Sequence, residues 1–158
     1  ALAMVVLAER GFDKADYALF HPAGSLGRRL MTVDEVMRKG EELPLVPRGV
    51  KVIEVLKVMS TTPGRPGAAL VTDATGALAG IFTDGDLRRL LEQDGAAALE
   101  RPIDEFTASQ PKVLSPDQLA EDAHRLLREH KKDQAPVVDA EGRVVGLIDV
   151  QDLLDIGL

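Results

Sequence analysis

The sequence predicts an α+β fold made of two copies of one β-α-β-β-α unit. Residues 33–36 repeat at 103–106, an offset of 103 − 33 = 70, and residues 71–87 repeat at 137–153, an offset of 137 − 71 = 66. Such an internal duplication constrains the fold more than any single motif does. Because one copy of about 50 residues has little core, we expect the two to pack face to face about a pseudo-two-fold axis.

Each copy contains the same predicted elements in the same order. After a short leading helix come a strand, an amphipathic helix, a hairpin of two strands and a closing helix. In the first copy these are residues 43–46, 50–59, 68–72, 78–82 and 84–93; in the second they are 112–114, 117–130, 135–138, 144–148 and 150–156. Gly76 and Gly142 lie between apolar runs and are typical of hairpin turns.

Two hydroxyl-containing motifs predict helix starts. Thr32 and Glu35 have the spacing of a capping box, which opens a short helix that Gly40 ends. Ser115, followed by a proline and by Gln118, is typical of a cap at the start of the second copy's amphipathic helix.

The first 30 residues differ from the repeats. Residues 1–10 predict a helix that Gly11 ends, and Asp13 could cap a second helix through Phe20. Residues 21–29 contain Gly and Pro and read as a loop. The chain starts inside an apolar run without a cap, which suggests a cut within a longer protein.

Composition narrows the function classes. The chain of 158 residues carries a net charge of −7, so we expect no binding to a nucleic-acid backbone. It lacks cysteine, which excludes disulfides and thiolate metal sites and fits a cytoplasmic protein. No segment looks long enough to cross a membrane. His124 and His130 are six residues apart, the wrong spacing for a paired helical metal site, so we predict no metal.

The stretch from Gly80 to Asp86 is the strongest candidate site. It reads as the end of a buried strand, a tight turn and the start of a helix. Thr83 and Asp86 have capping-box spacing. A helix N-terminus suits phosphate, and Asp86 could accept hydrogen bonds from ribose hydroxyls. The alternative is a well-capped strand-to-helix junction without a ligand.

This stretch and its echo from Gly146 to Asp152 resemble the cystathionine-β-synthase (CBS) domain, which occurs in tandem pairs. The resemblance covers residues 33–158. It implies a cleft between the copies, in which Thr83 contacts phosphate and Asp86 holds ribose. The ligand-binding set that it implies is Thr83, Asp84, Asp86, Leu45, Val46, Ala68, Ala69, Lys131 and Lys132. The two lysines could instead only stabilise the end of a helix.

A second site is expected to be weaker. Asp149 stands where the first copy has Thr83, and a carboxylate cannot donate a hydrogen bond to phosphate and repels it. Asp149 and Asp152 would then be helix caps only. Arg88 and Arg89 follow the first motif, at the helix end that disfavours cations, which hints at an anionic partner.

The sequence also resembles the arabinose-5-phosphate isomerase family, in which a sugar-isomerase (SIS) domain precedes a CBS pair. The resemblance rests on residues 81–89 and on the motif from His21 to Arg28. It implies three regions: an SIS remnant and linker at 1–30, one CBS domain at 31–94 and another at 95–158. His21 would be a catalytic residue of the parent enzyme, since a histidine suits proton transfer, but we expect this chain alone to be inactive.

The family implies two alternative functions for the repeats. They could sense a nucleotide effector, either CMP-Kdo, the activated end product of the pathway that leads to lipopolysaccharide, or AMP or ATP. They could instead serve only in oligomerisation, with an empty cleft. No cofactor is expected to be required. CBS pairs commonly associate, so we expect a homodimer here and a tetramer in the parent isomerase.

Overall fold

The computed structural model describes residues 24–107 and 110–158. The predicted helices at 1–10 and 13–20, and His21, lie outside these ranges. The helices are α1 (Ser25–Leu30), α2 (Val33–Val36), α3 (Val52–Thr61), α4 (Asp84–Asp94), α5 (Ala120–His130) and α6 (Val150–Asp155). The strands are β1 (Leu45–Pro47), β2 (Ala68–Thr72), β3 (Leu78–Thr83), β4 (Gln134–Val138) and β5 (Val144–Asp149), and 3-10 turns cover Gly40–Glu42, Ala96–Glu100 and Ile103–Glu105.

The two copies form similar sheets, one of which is incomplete. In the first copy, β1 runs parallel to β2, and β2 pairs with β3 in an antiparallel hairpin. In the second, β4 and β5 form the corresponding hairpin. The strand predicted at 112–114 is reduced to one parallel bridge between Leu114 and Val137. The register shifts after Val71 and after Val137, 66 residues apart, so the irregularity is also duplicated.

Three further local predictions were wrong. The helix expected to end at Gly40 ends at Val36, because Met37 has extended backbone geometry, and Gly40 begins a separate 3-10 turn. The helix predicted from residue 117 starts at Ala120, because Ser115 and Gln118 close a separate turn: the Ser115 N–H donates to Gln118 Oε1 at 2.9 Å. Part of the predicted loop at 21–29 is helix α1, in which Gly27 is buried. The segment after α1 is held to α5, since the Ala120 N–H donates to the Met31 carbonyl at 2.8 Å, and such packing overrides the low helix propensity of glycine.

The leading helices are exchanged between two apolar cores. Val33, fully buried on α2, packs with Leu127, Val137 and Ile148 of the second copy. Ile103, also fully buried, packs in the core of the first copy. Each copy therefore needs the leading segment of the other to complete its core.

The hairpin turns meet at the pseudo-two-fold axis. The Leu78 N–H donates to the Gly142 carbonyl at 3.0 Å, and the Val144 N–H donates to the Gly76 carbonyl at 3.1 Å. Both glycines have φ of +81°, which favours glycine, as expected of these turns. The reciprocal bonds join residues related by the 66-residue offset, so the duplication in sequence is a symmetry in space.

None of the helices in the two described ranges is both long enough and apolar enough to span a bilayer.

Candidate functional site

The N-terminus of α4 is the first part of the candidate site. Strand β3 ends at Thr83, the N-cap of α4, whose hydroxyl accepts from the Asp86 N–H at 3.3 Å. The Thr83 N–H and hydroxyl each lie 2.8 Å from Asp86 Oδ2. The predicted reciprocal capping box is therefore present. Arg89 binds the other oxygen of Asp86, which fixes the carboxylate at the mouth of the helix.

A cavity of about 420 Å³ opens in front of this helix end, between the two copies. This volume is typical of small-molecule sites. Among the described residues, five cationic and three anionic side chains line it, although the whole chain has a net charge of −7. The charged lining residues are Arg88, Arg89, Lys112, Lys131, Lys132, Asp84, Asp86 and Asp133. The local excess of positive charge favours an anionic ligand.

Lys131 and Lys132 lie at the end of α5 and also face the cavity. Lys131 has left-handed backbone geometry (φ +51°), and the Lys132 N–H donates to the Leu127 carbonyl at 2.9 Å, which closes the helix. Both interpretations of these lysines are thus compatible. They stabilise a helix C-terminus, and they present ammonium groups opposite Thr83.

Four members of the implied ligand set lie elsewhere. Val46, Ala68 and Ala69 are at most 2% exposed, in the interior of the first copy, and Leu45 is 43% exposed on β1. None of them lines the cavity of Thr83.

The counterparts of Ala68 and Ala69 in the second copy line it instead. The lining residues that the sequence did not single out are Gln110, Pro111, Lys112, Leu126, Asp133, Gln134, Ala135 and Pro136. Gln134 and Ala135 follow Ala68 and Ala69 by the 66-residue offset. The 66-residue offset would have predicted Gln134 and Ala135 as lining residues if Thr83 had been assigned to a cleft with the second copy rather than with its own.

The second copy's motif makes internal contacts. Asp149, 9% exposed, caps α6 by accepting from the Gln151 N–H at 2.9 Å, and its other oxygen accepts from Gln134 Nε2 at 3.1 Å. Asp152 accepts two bonds from Arg38, from Nε at 2.8 Å and from Nη2 at 3.0 Å. The hydrogen bond to Asp152 raises the pKa of the Arg38 guanidinium above its usual value.

The other cavities are weaker candidates for a ligand-binding site. A more open depression of about 490 Å³ is lined, among the described residues, by side chains of α5 that include His124. We favour the cleft, since two copies converge on it with a capped helix end and opposed cations. In the described ranges no three acidic, His or Cys side chains cluster so as to hold a metal ion.

Comparison with known proteins identifies the fold family. The sequence profile of the CBS domain matches residues 33–93 and 103–158. The chain belongs to the CBS domain family. Its fold is similar to that of CBSX2 from Arabidopsis thaliana in complex with AMP, with a TM-score of 0.68 and 26% identity over 78% of this chain and 93% of that one. The predicted tandem CBS fold is thus confirmed.

The relatives also include isomerases. This CBS pair is 41% identical to arabinose 5-phosphate isomerase KdsD of Pseudomonas aeruginosa and 40% identical to GutQ of Salmonella typhi, over 159 aligned residues that include all of this chain. The chain spans 48% of the length of each. The resemblance to this family is confirmed. The division at residues 30 and 94, and the SIS remnant, stay predictions.

Proposed function

We propose that this CBS pair binds one nucleotide-type effector at Thr83 and Asp86 and thereby regulates an arabinose-5-phosphate isomerase. The observation that carries the proposal is the capped start of α4, which opens into a 420 Å³ cavity with opposed cations. The AMP complex of CBSX2, a protein of the same fold, supports a nucleotide ligand.

The effector's phosphate would lie at the N-terminus of α4, facing Lys131 and Lys132. The helix dipole favours an anion there, although the Asp84 and Asp86 N–H groups already donate to the Gly67 carbonyl and the Thr83 hydroxyl. Gly85 leaves space for it, since a Cβ at that position would have its nearest neighbours, Arg89 and the Thr83 hydroxyl, 3.6 Å away. Ribose hydroxyls would donate to Asp86, whose carboxylate retains acceptor capacity beside Thr83 and Arg89.

The effector we favour is CMP-Kdo. It carries a ribose and a phosphate, as AMP does, and a further carboxylate on the sugar, which suits a cavity with five cations and three anions. As the activated end product of Kdo synthesis, it would give feedback on the isomerase. AMP and ATP are the competing candidates.

The parent protein would interconvert ribulose 5-phosphate and arabinose 5-phosphate in the cytoplasm, as a tetramer assembled in part through CBS dimers. His21 would transfer a proton there. The chain alone would be inactive, because the other groups of an SIS active site would lie upstream. Turnover of ribulose 5-phosphate by the pure chain would contradict this.

The binding proposal is tested by calorimetry with CMP-Kdo, CMP, AMP and ATP. We expect Thr83→Ala and Asp86→Ala each to weaken binding at least tenfold, whereas the matched variant Asp152→Ala leaves the affinity unchanged. Thr83→Ser keeps the hydroxyl and should retain binding.

A thermal-shift assay distinguishes a ligand-binding pair from a purely structural module. A ligand at 100 times its Kd stabilises the folded state by about 2.7 kcal/mol, which a thermal-shift assay detects. Absence of any shift with the four ligands would favour oligomerisation as the only role, and equal losses in all three alanine variants would remove the asymmetry between the clefts.

A further inference from the structure

Arg38 is bound to Asp152 in the first turn of α6. Its guanidinium donates to both oxygens of Asp152, the counterpart of Asp86, at 2.8 and 3.0 Å. A third donor, Nη1, reaches the Gly64 carbonyl at 3.4 Å, on the loop before β2. One side chain thus bridges the closing helix of the second copy and the rim of the first.

The backbone holds Arg38 in this place. Its N–H donates to the Leu147 carbonyl at 2.9 Å, and the Leu147 N–H donates back to the Arg38 carbonyl at 3.2 Å. Gly146 lets the preceding residue, Met37, lie against β5. The guanidinium is therefore presented to Asp152 from a segment that is fixed to the same strand that leads into α6.

The first cleft lacks an equivalent. The offset of 70 that relates the leading segments takes Arg38 to Ala108, a residue outside the described ranges whose side chain carries no donor. The arginine on Asp86 is Arg89, from the same helix. The side chain of Arg89 is 63% exposed, whereas that of Arg38 is 16% exposed. Arg89 can turn into solvent when a ligand arrives, but Arg38 has no such freedom.

We infer that Arg38 closes the second cleft to nucleotides, so that the pair binds a single effector. The inference rests on the proposed function for the class of ligand. Ribose hydroxyls that displaced Arg38 from Asp152 would break a two-pronged, part-buried ion pair and leave the guanidinium without its carboxylate partner. Asp149 repels phosphate in addition, so two independent features close the cleft.

The test counts bound nucleotides in three proteins by calorimetry, with AMP and CMP-Kdo titrated separately. Asp149→Thr copies Thr83 into the second motif, and Arg38→Ala/Asp149→Thr also frees Asp152 from its arginine. We expect one site in the wild type, one in Asp149→Thr and two in the double variant. Arg38→Gln/Asp149→Thr, which keeps much of the side-chain volume, should match the double variant if Arg38→Ala unfolds the chain.

Two results would overturn the inference. One is a second site in Asp149→Thr alone; the other is no gain in a folded double variant. If the wild-type protein bound neither nucleotide, the proposed function would be refuted. The inference would still predict that the double variant has one more site than Asp149→Thr. A further measurement uses the wild type and so does not depend on the folding of a variant. Saturating AMP should leave the NMR chemical shift of the Arg38 Nε–H unchanged. A change larger than the line width would show that AMP displaces Arg38 from Asp152.

Discussion

At the scale of single residues, Gly146 shows how a missing side chain positions a site. A Cβ at residue 146 would lie 2.1 Å from Met37 Sδ and 3.2 Å from the Arg38 carbonyl oxygen. Met37 is 8% exposed and has little room to withdraw. The glycine therefore permits the close approach that brings Arg38 to Asp152.

Gly146→Ala should destabilise the protein by about 1–3 kcal/mol, the usual effect of overpacking a core. Gly85→Ala is the matched control, because a Cβ at residue 85 has only ordinary neighbours at 3.6 Å. Since residue 85 lies in a helix, alanine there should raise the free energy of unfolding by up to about 1 kcal/mol. Urea denaturation measures both. The loss of stability caused by Gly146→Ala should be smaller when Met37 is also replaced by alanine. An equal loss in that background would show that the contact with Met37 is not its cause.

The sequence identified the residues of the first cleft better than those of the second. Thr83 and Asp86 are three positions apart, so a local rule for helix caps was enough to link them. Arg38 and Asp152 are 114 positions apart and come from different copies. Only the exchange of the leading segments brings them together, and the sequence carries no local signal for that contact.

At the scale of elements, the 3-10 turn Ile103–Glu105 is fastened to the loop before α3. Asp104 accepts from Arg48 Nε at 2.6 Å and from the Gly49 N–H at 2.5 Å. These bonds, with that from Arg48 the larger cause, lower the pKa of the Asp104 carboxyl below its usual value. The ionised form is thus favoured in the folded state.

This shift predicts a pH dependence of stability. A lowered folded-state pKa gives stability that is present above the unfolded pKa, about 3.9, and is lost as the pH falls through the lower folded value. Asp104→Asn should therefore be less stable than the wild type at pH 7 by less than about 1 kcal/mol, because Arg48 is exposed and the pair is screened.

The measurement is thermal unfolding of both proteins between pH 7 and pH 2. The difference in Tm should shrink below about pH 4. A difference that is constant over this range would show that Asp104 acts through packing rather than through its charge.

Elements with a strong local pattern were predicted well, and those that depend on distant contacts were not. The hairpin of β2 and β3, with its turn at Gly76, agrees with the sequence to within a residue. The strand expected at 112–114 forms only one bridge, and α5 starts three residues late. At 112–114 the single bridge joins Leu114 to Val137, and before α5 the turn closed by Ser115 and Gln118 delays the start of the helix.

At the scale of the whole molecule, the exchange of leading segments makes the two copies one folding unit. Val33 N–H donates to the Gln118 carbonyl at 2.7 Å, and Ile103 N–H donates to the Val50 carbonyl at 2.8 Å. The Val33 and Ile103 side chains are fully buried in the opposite cores. The cavity in front of Thr83 lies between the two copies, so its geometry depends on both cores.

Truncation of each buried side chain should therefore loosen the distant copy. Ile103→Ala should destabilise the protein by about 2–5 kcal/mol, and Val33→Ala by less, because fewer buried methyl groups are lost. Hydrogen exchange read by mass spectrometry should show faster exchange in β4 and β5 for Val33→Ala, but in β2 and β3 for Ile103→Ala. Each variant serves as the control for the other. If each change instead sped up exchange in the copy that follows it directly in sequence, the leading segments would stabilise their own copies in solution, and the two copies would behave as independent domains.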